Sequence, residues 1–218
     1  MLRSVHLFIL FTLFSCATGS KLADAPIDSV LDSLKVTGEG RGRLSLEQGQ
    51  YLFSYEALLK DEVDWLLAVT VPLHGEEVMI LPKIKDAVAP EHKAESFEAR
   101  LESEISSRIK GSDLSGKDYI RELRSMIRFI LAKQLTLNRE CEKKSEQGFL
   151  CNLEQEVFEV KVEKDKIFIH KLISESYTLE LVGENLTDSI FTRTNFNLHS
   201  QKRSKKAAPV LALELFWK

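Results

Sequence analysis

The sequence is poor in the features that usually announce a chemistry. It has three cysteines in 218 residues, at positions 16, 141 and 151. None is in C-x-x-C spacing and no histidine lies near the later two, which excludes a dithiol redox motif and a Cys/His zinc set. Neither G-x-S-x-G nor H-E-x-x-H occurs. His92, His170 and His199 are scattered, and no Asp/Glu pair stands out as an acid and base. His74 with Glu76 and Glu77 is the single cluster that invites a metal. On a strand, however, His74 and Glu76 fall on one side and Glu77 on the other. Lys+Arg number 30 against 33 Asp+Glu, a net charge of -3, so the basic excess of a nucleic-acid binder is missing. There is no internal repeat and no low-complexity segment. These absences predict a protein that is not an enzyme and needs no cofactor, metal or nucleic acid.

What is present is alternation. The chain is 44% apolar, enough for one domain with a proper core. Val36–Leu46 sets Gly38, Gly40 and Gly42 on one side and Thr37, Glu39, Arg41 and Arg43 on the other, the period of a strand. A face of three glycines lets a backbone or a ligand come close. Tyr51–Leu59, Asp64–Val71 and Glu76–Leu81 follow as further strands, the last stopped by Pro82. Later strands are predicted over Val157–Val162, Ile167–Ile173, Tyr177–Val182, Ile190–Leu198 and Val210–Trp217, nine in all. Asn185-Leu186-Thr187, formally a glycosylation sequon, reads as a turn. Helices are predicted at Ile27–Leu34, at Lys93–Lys110 (Phe97, Leu101, Ile105 and Ile109 at helical spacing) and at Asp118–Leu135. Arg121, Arg124, Arg128 and Lys133 read as the solvated face of the last. Strands in succession around two central helices predict an α+β fold: a strongly curved, unclosed antiparallel β-barrel, a half-barrel, covered by two or three helices. Apolar residues on both faces of Trp65–Val71 predict a concave pocket that a lipid chain can fill. Its candidate liners are Phe53, Tyr55, Trp65, Leu67 and Val69.

The first residues read as export signals. Arg3 precedes an apolar run, Val5–Leu13, which is too short to span a membrane. Leu13-Phe14-Ser15-Cys16 then resembles the lipobox of bacterial lipoproteins, with Phe14 bulkier than usual. The alternative is an ordinary cleaved signal ending at Ala17-Thr18-Gly19. The lipoprotein reading is preferred because Cys16 falls where the apolar run ends. On it, residues 1–15 are a signal peptide, 16–26 a lipidated tether and 27–218 a single domain. Cys16 carries the acyl (palmitate-type) chains, and Ala17 in place of an aspartate implies the outer membrane, facing the periplasm. In an exported chain the remaining Cys141 and Cys151 read as one disulfide bond.

The strand run Gly38–Leu46, Tyr51–Tyr55, Trp65–Val71, and then Pro72-Leu73 before Gly75-Glu76-Glu77, resembles the LolB family of outer-membrane lipoproteins. His74 is an insertion into that family's P-L-G turn. The resemblance implies a LolA/LolB-like domain. It further implies a chaperone-like role in protein transport: accepting lipoproteins by their acyl chains from a soluble periplasmic carrier of the LolA type and inserting them into the outer membrane. By position, Leu73 takes the role of the protruding apolar contact. Read from its residues alone, Leu73 either plugs the sheet end or projects towards a partner or bilayer. Two alternatives stay open: a structural or assembly lipoprotein that binds a protein partner, and a carrier of a different lipid. The cationic loop Lys202–Lys206 is a solubilising edge or a contact for anionic lipid or an acidic carrier.

Overall fold

The computed structural model describes residues 25–46, 49–60, 64–71, 75–82, 97–108, 114–201 and 208–218. In chain order these form α1 (Ile27–Asp32), β1 (Gly38–Leu46), β2 (Gly49–Lys60), β3 (Asp64–Val71), β4 (Gly75–Pro82), α2 (Phe97–Arg108) and α3 (Gly116–Ile130). Seven strands follow: β5 (Arg139–Lys143), β6 (Gly148–Leu153), β7 (Glu156–Val162), β8 (Ile167–Ser174), β9 (Tyr177–Thr187), β10 (Ile190–Ser200) and β11 (Leu211–Trp217). All eleven strands join one sheet in the order β4-β3-β2-β1-β11-β10-β9-β8-β7-β6-β5. Each neighbouring pair is antiparallel. The two ends of the order are not joined to each other, so the sheet is open.

This corrects the expected α+β half-barrel under two or three covering helices. The fold is mostly sheet, and the helices among the described residues are short, at 6, 12 and 15 residues. Part of the reason lies around the disulfide. The segment between the two cysteines, where no strand is expected, is a hairpin in which Cys141 stands directly opposite Cys151, and the two are bridged. That hairpin adds two strands at one end, and the expected nine become eleven. A second difference is at β9. It runs through Asn185-Leu186-Thr187, and the turn lies at Asp188-Ser189, whose φ angles are 50° and 65°. Two consecutive positive φ values make a two-residue turn of the type that matches strand twist.

Register explains the core. The pairs Val160–Ile169, Ile169–Leu181, Leu181–Phe196, Phe196–Leu213 and Leu213–Leu44 form one continuous row across six strands. All six side chains are buried. We call this the inner face. α3 packs on it at β8 and β9, and α2 packs on α3 and β4. α3 begins at Gly116 because Ser115 caps it: its hydroxyl accepts from the Asp118 N–H, and Asp118 accepts in turn from the Ser115 N–H. The hydrogen bond from Ser115 holds the Asp118 carboxyl below its ordinary range.

The glycine face of β1 is filled from within. A Cβ on Gly42 would lie 2.1 Å from the Phe53 ring, and one on Gly40 would lie 2.1 Å from the Phe216 carbonyl oxygen and 2.5 Å from the Tyr55 hydroxyl. The expected close approach of a backbone or ligand is therefore made by β2's own aromatic rings and by β11. Gly40→Ala sets a methyl against fixed backbone. It should lower unfolding stability by about 1–3 kcal/mol, the usual range for overpacking, read from the shift of the urea midpoint.

Candidate functional site

Two regions of the inner face carry functional potential. The first is where the expected acyl-chain liners fall. Tyr55 stands opposite Val69 and Ala57 opposite Leu67, so alternation puts Phe53, Tyr55, Leu67 and Val69 on the same face. All four are at most 4% exposed. Trp65, opposite Leu59, has the same parity; its side chain lies outside the described residues. Tyr55 packs edge-on against Trp217 with ring centroids 4.9 Å apart. The Tyr55 hydroxyl is buried with no hydrogen-bond partner among the described residues. Burial pushes its pKa far above the ordinary tyrosine value. The hydroxyl of Tyr119 on α3 is in the same condition. A buried polar group left unpaired costs about 1–3 kcal/mol, so an acceptor brought to either hydroxyl would be stabilised there. Leu101 and Ile105 of α2 are also buried.

Cys16, Leu73 and Lys202–Lys206 lie outside the described residues. Gln201, just before the cationic loop, is held by its backbone N–H to the Ser176 carbonyl at 2.8 Å.

The second region was not expected. Lys171 takes an inner-face position on β8 beside Ile169, where an apolar side chain fits the pattern. It is 7% exposed. Its Nζ lies 2.5 Å from Glu122 and 3.2 Å from Glu156. It donates to Ser125 Oγ at 2.7 Å, and Ser125 donates to Glu156. Glu122 and Ser125 come from α3 and Glu156 from β7, so the cluster ties the helix to the sheet. Arg121 also reaches Glu122, at 3.0 Å. Arg128, expected on a solvated face, is instead 7% exposed and pairs with Glu154 at 3.0 Å. The signal was present in the sequence. Tyr119, Glu122, Met126 and Phe129 share one helical stripe, and Lys171 continues the alternation of Ile167 and Ile169.

A serine hydroxyl beside a lysine amine is the geometry of a serine–lysine nucleophile pair. Here the lysine Nζ lies among three oxygens, and the serine proton already points at Glu156. The arrangement works as an ionic clamp. Lys171→Met removes the ammonium that Glu122 and Glu156 share and should cost about 3–5 kcal/mol. Adding Glu122→Gln and Glu156→Gln should recover most of the loss, measured by urea denaturation of the three variants.

The outer face carries a separate charged ladder. Arg43 and Arg193 both reach Glu214 Oε2, at 2.6 and 2.8 Å. Glu184 pairs with Lys166 at 2.6 Å and Arg193 at 3.2 Å. Glu180 is flanked by His199 at 3.2 Å, His170 at 3.6 Å and the Asn197 amide. Burial raises the Glu180 carboxyl, but the hydrogen bonds from His199 and Asn197 outweigh it, and its pKa is lowered. Glu184 is likewise raised by burial and lowered overall by Lys166. A folded pKa below the unfolded one contributes stability that is present above the ordinary carboxylate range. That stability is lost as pH falls through the lowered folded values. Unfolding free energy followed against pH should therefore drop below the ordinary carboxylate range, and Glu180→Gln should make that drop shallower.

No family model matches any part of the chain, and no curated protein matches its sequence.

Proposed function

We propose that the protein is an outer-membrane lipoprotein, anchored through Cys16, that takes acyl chains of lipidated proteins from a soluble periplasmic carrier and passes them to the membrane. The observation that supports this reading is the apolar inner face of an open sheet. Phe53, Tyr55, Leu67 and Val69 gather there on adjacent strands, and the Tyr55 hydroxyl lacks an acceptor among the described residues. An acyl chain brings both an apolar body and a carbonyl acceptor. Each buried methylene stabilises such a chain by about 0.8 kcal/mol. The lipobox-like run ending at Cys16 and the LolB-like strand order add to the reading, with Leu73 as the contact that delivers cargo to the bilayer.

A second reading, a structural lipoprotein with a filled core that binds a protein partner, is favoured by one observation. The four liners are at most 4% exposed, so the protein's own side chains already fill the space around them.

One experiment separates the two. The sequence holds two tryptophans, and Trp217 touches Tyr55. A carrier loaded with a dansyl-acylated lipoprotein is mixed with the chain bearing Cys16→Ala, and energy transfer from tryptophan to dansyl is followed. The acyl-acceptor reading expects saturable transfer. It also expects Leu73→Glu to accept cargo but fail to release it to liposomes. Absence of transfer leaves the filled-core reading.

A further inference from the structure

Phe53 and Tyr55 stand two residues apart on the same face of β2 and are equally buried, each 4% exposed. Each ring lies over a glycine of β1, Phe53 over Gly42 and Tyr55 over Gly40. Burial and clearance therefore ask for an aromatic ring at both positions, and phenylalanine meets that demand at the first. The hydroxyl at the second is what packing does not explain. It has no hydrogen-bond partner among the described residues. The Phe216 carbonyl oxygen also borders the empty Cβ position of Gly40, yet it does not accept from the hydroxyl. The Trp217 ring meets Tyr55 edge-on at 4.9 Å. Its indole N–H donates to Thr194 Oγ1 at 3.4 Å. Of the two polar groups in this aromatic pair, one has an acceptor and the other has none. In the empty protein the Tyr55 hydroxyl is desolvated without compensation.

We propose that Tyr55 is a specificity-determining residue of the inner face: its hydroxyl donates to the carbonyl oxygen of an ester- or amide-linked acyl chain, so the site takes acyl chains in preference to alkyl chains that lack the carbonyl. The inference rests on the acyl-acceptor reading above and adds to it the group by which the chain is recognised. Hydrophobic contact alone is blind to that group, because burying a methylene gains the same whether an ester or an ether heads the chain. A buried donor left unpaired in the free protein is not blind to it. A site built to hydrogen-bond a ligand group discriminates against the analogue without it, since the site's own polar group then stays unpaired. Apolar neighbours flank the hydroxyl on its own face. Val69 stands opposite Tyr55 and Leu67 opposite Ala57, with Phe53 two positions along β2. A hydrocarbon whose carbonyl is at Tyr55 therefore has apolar side chains to lie against. Tyr119 offers the comparison within the same molecule. Its hydroxyl is also buried and unpaired among the described residues, but it stands on α3, whose main contacts are with α2, β8 and β9.

The test uses the full chain bearing Cys16→Ala and two dansyl-labelled peptides. One carries two ester-linked hexadecanoyl chains, the other two ether-linked hexadecyl chains of equal length. Energy transfer from tryptophan reads the binding of each. The ratio of ester to ether affinity should be about tenfold higher than in the same chain with Tyr55→Phe, a comparison that cancels the probes' own difference in hydration. Tyr55→Phe should leave the ether affinity unchanged and raise the urea midpoint of the empty protein, because the unpaired hydroxyl is gone. Tyr119→Phe should raise the midpoint likewise and keep the ester preference. The proposal is overturned by an ester preference that survives Tyr55→Phe, or by equal loss of both probes in that variant. It is also overturned by the same loss of preference in Tyr119→Phe, which makes the effect one of stability and not of contact. A lowered midpoint for Tyr55→Phe overturns it too, because the hydroxyl then has an acceptor in the empty protein. If neither probe binds any of the proteins, the acyl-acceptor reading fails and takes this proposal with it. If both bind and Tyr55→Phe alters neither, the assignment to Tyr55 alone fails.

Discussion

The structure depends on register. An eleven-stranded antiparallel sheet has a side-chain period of two, so a slip of one residue in any strand turns its apolar set outward. Here the constraint is satisfied strand after strand. The row from Val160 through Ile169, Leu181, Phe196 and Leu213 to Leu44 places six buried side chains side by side. The next row has to admit large rings on β2, and it does so by omitting Cβ atoms on β1: Gly42 lies under Phe53 and Gly40 under Tyr55. The outer face is pinned differently. Glu214 on β11 receives Arg43 from β1 and Arg193 from β10, so three neighbouring strands share one ionic contact whose geometry holds only in the native register.

The same constraint explains why the buried lysine of the inner face matters. Lys171 occupies a position that register assigns to the core, and a buried ammonium is tolerable only when paired and hydrogen-bonded. Its partners come from two directions, Glu122 and Ser125 on α3 and Glu156 on β7. The β7–β8 ladder stops at His170, one residue before it. A polar cluster that locks α3 onto the sheet thus sits where the sheet parts. Packing, charge and the missing ladder coincide there, and nothing comparable joins β10 to β11, whose six register pairs are continuous.

Much of this was legible from the sequence. The strands from Val36 to Pro82 and those of β7 to β11 follow from alternation, but which face of β2 and β3 turns inward did not, because Trp65–Val71 is apolar on both faces. The disulfide partners followed from cysteine count. What was not legible has physical causes. β5 and β6 are rich in charge near the turn, Glu140, Glu142, Lys143 and Lys144, as suits an edge strand that must not pair further. That composition resembles a loop. The turn at Asp188-Ser189 carries no glycine, although both residues have positive φ, so the Gly183-Glu184-Asn185 segment inside β9 drew the boundary instead. The Lys171 cluster needed tertiary contact between α3 and β8, which periodicity hints at through Glu122 and Lys171 but cannot assemble. The helical contribution was overestimated because two amphipathic stripes say how a helix packs, not how much of the fold it makes.

The two helices on the inner face are not held alike, and that difference bears on the proposed acyl exchange. α3 is fixed by charge: Glu122 and Ser125 to Lys171, Arg128 to Glu154, with Arg139 donating to the Phe129 carbonyl at its end. α2 packs chiefly on α3 and β4. Its described polar tie to α3 is the Ser106 hydroxyl, which accepts from the Gly116 N–H at 3.2 Å. Moving α3 means separating buried charges, at several kcal/mol for each broken pair. Moving α2 exposes Leu101 and Ile105, about 1.5–3 kcal/mol for each side chain, and an incoming acyl chain can cover the surface they leave. Among the described contacts, displacing α3 therefore costs more than displacing α2.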